Sequence, residues 1–255
     1  MTDPRVARIQ DALVATAGGF LRNPGGPGTC TRCFTPTTSL PLCPQCRYAV
    51  TLAGMPDLLA MMTYAGNLDP ITQSGRVMRG YKNPAFPGGG TYRQTVSLLA
   101  ALGLIGHVDC PGRLTGTPLS AWATVPSLPP KHGQATHPLN EIVGQLAKQG
   151  AIEVTLTAAE TASTPREINA SHYTADGNAA GQHVIVIDDT WTGGGHATSA
   201  ALAVRAAGGT HVSVLVLARW LSIGWEATTT AWARQRLIAP DFQPAVCPWT
   251  HGLCP

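Results

Sequence analysis

Apolar positions along the chain recur with more than one period. Over the first 20 residues Val6, Ile9, Leu13 and Phe20 return near one face, which predicts a short amphipathic helix. The run NPGGPG at 23–28 breaks it. Pro56, in a first-turn position, opens a stretch through Met61 and Met62 that reads as another helix. After a loop at 83–90, a further helix is predicted over 92–104. Residues 119–125 (LSAWATV) read as a strand ended by Pro126, and 129–137 as a polar loop. Residues 138–148 look helical with Gly150 as the cap, and 151–156 form a short strand. The polar stretch 157–181 has no clean period and reads as containing a mobile loop. Then 183–187, 195–207 and 211–217 read as strand, helix and strand. Strands alternating with helices imply a parallel sheet with right-handed crossovers. The last 15 residues read as an irregular tail.

Composition agrees with a folded domain. The chain has 255 residues, of which 44% are hydrophobic, enough for one α/β domain plus a small accessory module. Only 12% are charged, and three of the 17 basic residues are Lys. A net charge of +3 is too weak to argue for a nucleic-acid partner by itself. The N-terminal 20 residues carry Asp3, Arg8 and Asp11 and lack an uninterrupted apolar core, so no targeting segment is read there. The longest apolar stretch, 96–108, is too short to span a bilayer. A soluble, cytoplasmic protein without membrane insertion is expected.

Seven cysteines are an odd number, and four form two Cys-x2-Cys pairs: Cys30 and Cys33, then Cys43 and Cys46. Two residues between thiols make a tight turn that aims both sulfurs at one point. Two such turns supply four tetrahedral ligands for a structural zinc ion. Arg32 and Arg47 lie beside the cysteines and read as solvated residues. The tail holds Cys247, His251 and Cys254, a spacing open to a second metal site or a redox pair. His107 and Cys110 read as packing or loop residues, and the six Trp as mostly core.

The second constellation is VIVIDDTWTGGGHAT, residues 184–198. A buried apolar strand carries Asp188 and Asp189 at its carboxyl end. The small-residue loop Thr192, Gly193, Gly194, Gly195 then opens a helix at His196 and Ala197. Ligands of open α/β sheets bind at strand carboxyl ends. A glycine-rich turn at a helix N-terminus offers N–H groups and a positive dipole to phosphate. Adjacent acids suit ribose hydroxyls or a metal. A Walker B strand would need a P-loop, and none of Lys82, Lys131 and Lys148 sits in one. A plain strand–helix turn is the bland alternative. The GGG run lacks the register of a dinucleotide fingerprint.

This segment resembles the phosphoribosyl-diphosphate (PRPP) motif of type I phosphoribosyltransferases. The layout from Cys30 to Trp220 resembles the ComF-like (competence protein F type) group, which joins a four-Cys zinc finger to a phosphoribosyltransferase domain. Weaker features agree in order: Tyr64-Ala-Gly-Asn-Leu, then Tyr81-Lys82; Val125-Pro126-Ser127; His137-Pro138-Leu139; Arg166-x2-Asn169; and LVLARW after the motif. The chain departs from the family where Gly193 stands at the second Thr of the phosphate loop and His196 at the last, so two hydroxyl ligands are replaced.

The resemblance implies an α/β fold: a twisted, mainly parallel sheet flanked by helices, a small cap and an N-terminal zinc knuckle. The implied division is 1–52 for the zinc module, 53–240 for the phosphoribosyltransferase-like domain and 241–255 for the tail. It implies binding of PRPP or a related ribose phosphate with Mg2+, and phosphoribosyl transfer to a nitrogen nucleophile as the reaction open to the site. Asp188 and Asp189 would hold the ribose, and Thr192 to Ala197 the 5-phosphate. Lys131 and His132 would face the pyrophosphate, and Arg166 would belong to a closing loop. The other expectation the group carries is a non-catalytic factor in DNA uptake or regulation, whose zinc module contacts nucleic acid or a competence-machinery protein. A glutamine amidophosphoribosyltransferase is not expected, because Thr2 rather than Cys follows Met1.

Overall fold

The computed structural model describes residues 3–37, 40–52, 55–67, 71–83, 85–128, 137–147, 150–160, 167–222, 231–232, 235–237 and 241–255. The chain is an α/β protein. Helix α1 (Pro4–Ala17) starts where Asp3 accepts the Arg5 N–H and Pro4 presets the first turn. Helix α2 (Pro44–Ala49) follows the four-Cys segment. Then come β1 (Leu58–Asn67), α3 (Gln73–Gly80), α4 (Gly89–Ala101) and α5 (Cys110–Thr115). Next are β2 (Ala121–Thr124), α6 (Pro138–Leu146), β3 (Ile152–Glu153) and the pair β4 (Leu156–Ala158) and β5 (Tyr173–Ala175). Finally β6 (His183–Trp191), α7 (Gly195–Ala206) and β7 (His211–Ser222) complete the sheet.

The main sheet has the order β1-β7-β6-β2-β3, and every pair in it is parallel. Odd and even residues of the strands face different cores. Val184, Val186, Val212, Val214 and Val216 meet α7 and the four-Cys module on one face. Ile185, Ile187, Leu215 and Leu217 meet α1, α3, α4 and α6 on the other. Helices therefore cover both faces, as the alternation of elements predicts.

Several predicted elements are corrected. The segment from Pro56 through Met62 is not a helix but leads into β1, the edge strand beside β7. Ala60 and Met62 pack on one face and Met61 on the other. A strand buried on both sides shows a continuous apolar run, and periodicity cannot separate that from a buried helix turn. The predicted strand 151–156 splits: β3 joins the main sheet, then the chain turns at buried Val154 and β4 pairs antiparallel with β5. The stretch read as containing a mobile loop thus holds a hairpin that packs on α7, while 161–166 lie outside the described residues. The helix predicted over 92–104 is α4 extended by a π-helical turn, Leu102–Gly106. Among the described residues no helix is long and apolar enough to cross a membrane.

The sheet has a switch point. From β2 the chain crosses through α6 to β3, away from β6; from β6 it crosses through α7 to β7, in the opposite direction. The two crossovers diverge between the carboxyl ends of β2 and β6. Such a divergence leaves a crevice, the usual ligand position in open α/β sheets.

Candidate functional site

Asp188 and Asp189 lie in the carboxyl-terminal half of β6, beside that crevice. The strand runs on to Trp191, four residues past the predicted end at Ile187. Both acids are buried, at 7% and 6% exposure. Three groups converge on Asp189. The Tyr81 hydroxyl donates to its Oδ2 at 2.6 Å, Lys82 Nζ lies 2.5 Å from the same oxygen, and His137 Nε2 lies at 3.9 Å. Tyr81 follows the end of α3 and His137 caps α6, so three parts of the chain meet at one carboxylate.

The two acids are driven apart electrostatically. Burial, then the neighbouring Asp189 charge, push the Asp188 carboxyl up to about 8. Burial acts on Asp189 in the same sense, but the Lys82 ammonium and the hydrogen bonds from Lys82 and Tyr81 outweigh it. Asp189 is held below the ordinary carboxylate range. Burial and the Asp189 charge raise Tyr81 well above a normal phenol, so it remains a donor. The site thus presents one carboxylic acid and one carboxylate side by side.

The loop Thr192–Gly195 turns directly into α7. Gly194 is the N-cap with φ 85°, in the left-handed region, and a Cβ there would sit 2.1 Å from the Trp191 ring. Only glycine meets both demands. No side chain caps α7, so the positive end of the helix and its first-turn N–H groups are presented by backbone alone. Thr192 and Gly193 are exposed, Gly194, Gly195 and Ala197 are buried, and His196 is half-buried. The His196 ring stands edge-on to Tyr173 at 6.4 Å, and the Tyr173 hydroxyl donates to the Pro126 carbonyl at 3.3 Å. Tyr173 therefore joins the β4–β5 hairpin to the loop after β2 and to the start of α7.

Cys30, Cys33, Cys43 and Cys46 come together as the spacing predicts. All four are buried, with sulfurs within 4.8 Å of one another, and they could hold a metal ion such as zinc. The Cys33 and Cys43 sulfurs are 3.6 Å apart, and Cys43 Sγ accepts the Cys46 N–H at 3.4 Å, which starts α2. Arg219 of β7 ties this module to the Thr192–Gly195 loop. Its side chain is buried, and Nε donates to the Cys33 carbonyl at 2.8 Å. Nη1 donates to the carbonyls of Trp191 and Thr192, both at 2.9 Å. Arg32 places one guanidinium nitrogen on the Pro56 carbonyl at 2.9 Å.

Lys131, His132 and Arg166, read from the sequence as pyrophosphate-loop and closing-loop residues, lie outside the described residues. Sequence reasoning gave no site role to Tyr81, Lys82, His137 or Arg219. All four lie only in fragments of the resemblance, Tyr81-Lys82, His137-Pro138-Leu139 and LVLARW, and a lone Lys beside a Tyr carries no signal of its own. Arg219 had one available sign: a charged residue inside the apolar strand LVLARW must find buried acceptors. An apolar crevice among Leu104, Trp122, Val143 and Ile185 opens near the start of β2 and includes neither acid. No protein-family model matches the chain, and no curated protein matches it significantly.

Proposed function

We propose that the chain binds PRPP or a related ribose 5-phosphate at the crevice between β2 and β6, with phosphoribosyl transfer as the reaction the site is built to support. The observation that carries this reading is the shared strand–loop–helix unit. Two buried acids and an uncapped, glycine-only helix start lie within one short segment at the switch point of the sheet.

In this reading the 5-phosphate sits on the N–H groups of Gly193 to Ala197, at the positive end of α7. The ribose hydroxyls donate to Asp188 and Asp189. The contacts on Asp189 described above all fall on Oδ2, which leaves Oδ1 to face the sugar. Lys82 holds positive charge beside the anionic ligand. PRPP enters as its magnesium complex, and the metal travels with the substrate. The C1–O bond breaks with its electron pair going to pyrophosphate. A nitrogen lone pair then bonds to C1, and the nitrogen's proton leaves to solvent. The chain's part is positioning, charge neutralisation and water exclusion. The four-Cys module fits zinc: four buried thiols lie within 4.8 Å of one another, with no other ligand type among them. Through Arg219 it would brace the carbonyl side of the phosphate loop.

The test is calorimetry with PRPP and magnesium on wild type and Asp189→Asn, followed by a screen of nitrogenous bases for pyrophosphate release. Binding by wild type and a loss of at least tenfold in the variant are expected. No binding by wild type, together with salt-dependent DNA binding, would move the chain to the non-catalytic alternative.

A further inference from the structure

Seven cysteines cannot pair off, and the four-Cys module leaves three: Cys110, Cys247 and Cys254. The fold collects these three in one place, and with them a histidine from another segment. His107, Cys110, Cys247 and Cys254 offer ligand atoms that all lie within 4.8 Å of one another. The Cys254 sulfur is 3.4 Å from His107 Nδ1, and the Cys247 sulfur is 3.7 Å from that of Cys110. Zinc–sulfur bonds of about 2.3 Å at tetrahedral angles place two sulfurs about 3.8 Å apart, and a sulfur and an imidazole nitrogen about 3.6 Å apart. These two separations match a tetrahedral site, and the remaining ones all lie within 4.8 Å.

Local structure holds each ligand in place. His107 ends the π-helical turn, and Cys110, at the start of α5, donates its N–H to the His107 carbonyl at 3.2 Å. These two therefore form a His-x2-Cys turn analogous to the Cys-x2-Cys turns of the first module. On the other side Cys247 and Cys254 bracket a tight loop. The Cys247 N–H donates to the Gly252 carbonyl at 2.9 Å, and the His251 N–H to the Cys247 carbonyl at 2.8 Å. Arg113 of α5 reaches over to the Pro255 carbonyl at 2.8 Å and sets Cys254 above α5. His107, Cys110 and Cys247 are buried at 3%, 4% and 0% exposure, and Cys254 is at the surface. The second ring nitrogen of His107, Nε2, is buried without a hydrogen-bond partner among the described residues.

We infer that His107, Cys110, Cys247 and Cys254 form a second, Cys3His zinc site that fastens the tail to α5. Three thiolates and one imidazole in a closed tetrahedral set select zinc over harder cations. With this site every cysteine of the chain is a ligand: four in one cluster, and three plus a histidine in the other. The odd count then needs no disulfide. The sequence spacing of the tail suggested His251 as a ligand, but the structure turns it elsewhere. Its ring packs edge-on against Phe34 at 4.2 Å, next to Cys33 of the first module. The 247–254 loop therefore spans the two clusters, held by the metal at both of its ends and by this ring contact between them.

Metal analysis of the full chain, purified under reducing conditions without chelator, tests the inference. Two zinc ions per chain are expected. Cys254→Ser, at the surface ligand, should lower the count to one, and Cys254→His, which restores a ligand, should keep two. Cys43→Ser should remove the other ion. Should Cys254→Ser fail to fold, cobalt titration of the chelator-stripped wild type decides: saturation at two equivalents with tetrahedral absorption supports the site, and saturation at one overturns it. One zinc per chain in the wild type, or two in Cys254→Ser, overturns it, as does a Cys247–Cys254 or Cys110–Cys247 disulfide in freshly purified protein under non-reducing peptide mapping.

Discussion

Replacing Asp188 by Asn should make the free protein more stable at neutral pH while weakening its hold on ribose. The substitution keeps the shape and removes the ionisable group. Asp188 is pushed up to about 8, so between about pH 4 and pH 8 it is protonated when folded and ionised when unfolded. A raised carboxyl contributes stability below its unfolded value and loses it as pH rises toward the folded one. Each pH unit is worth about 1.4 kcal/mol. At pH 7, about three units above the unfolded value, wild type has given up about 4 kcal/mol relative to pH 4. Asn gives up nothing over that range. The variant should therefore match wild type near pH 4 and exceed it by up to about 4 kcal/mol at pH 7, or roughly 8–16 °C in Tm for a chain this long. Asp189, held low, has the opposite sign: its contribution is present above about pH 4 and is lost only below it. His183 and His251, lowered by burial, lose stability on acidification below their ordinary range, but they do so in both proteins. The difference between the two curves isolates Asp188. Urea unfolding followed by Trp fluorescence at pH 4.5, 6 and 7.5 measures it. Parallel curves, with a stability difference independent of pH, would refute the reasoning. In the same variant, PRPP affinity should fall, by about tenfold to a hundredfold once the pH exceeds about 8 and wild-type Asp188 is ionised.

Lys82→Met leaves the buried Asp189 carboxylate without its ammonium and should cost about 1–3 kcal/mol at pH 7; urea unfolding that shows no loss would place the ion pair outside the fold's energetics. Gly194→Ala forces an L side chain to φ 85° and against the Trp191 ring, so a loss of at least about 2 kcal/mol and of measurable ribose-phosphate binding is expected, by unfolding and calorimetry. Arg219→Met strips a charged donor from the carbonyls of Cys33, Trp191 and Thr192. Weaker PRPP binding without loss of zinc is expected; unchanged affinity would show that the phosphate loop does not depend on this tie. Cys43→Ser should lose one zinc per chain by elemental analysis and loosen the N-terminal module in hydrogen exchange.

The sequence by itself determined the features that are local in the chain. The α/β class, β6, α7 and β7 follow from short-range pattern, because apolar period and glycine punctuation act within a few residues. The Cys30–Cys46 cluster is likewise local, since its spacing makes its geometry. The segment 184–198 is legible as a candidate site because both acids and the glycine loop belong to one strand–loop–helix unit. What depends on contacts distant in sequence had to wait for the tertiary structure. The run through Met61 and Met62 reads as helix or strand until β7 is beside it, for a doubly buried strand has no periodicity to show. Lys82 and Tyr81 reach Asp189 across more than a hundred residues, and Arg219 reaches Cys33 from farther still. The second cluster is the clearest instance. His107 and Cys110 looked like packing residues, and the tail pattern pointed to His251. Only the docking of residues 241–255 against α5 brought Cys247 and Cys254 to His107 and turned His251 toward Phe34. Ligand spacing within one turn is written in the chain, whereas the meeting of two turns is a property of the fold.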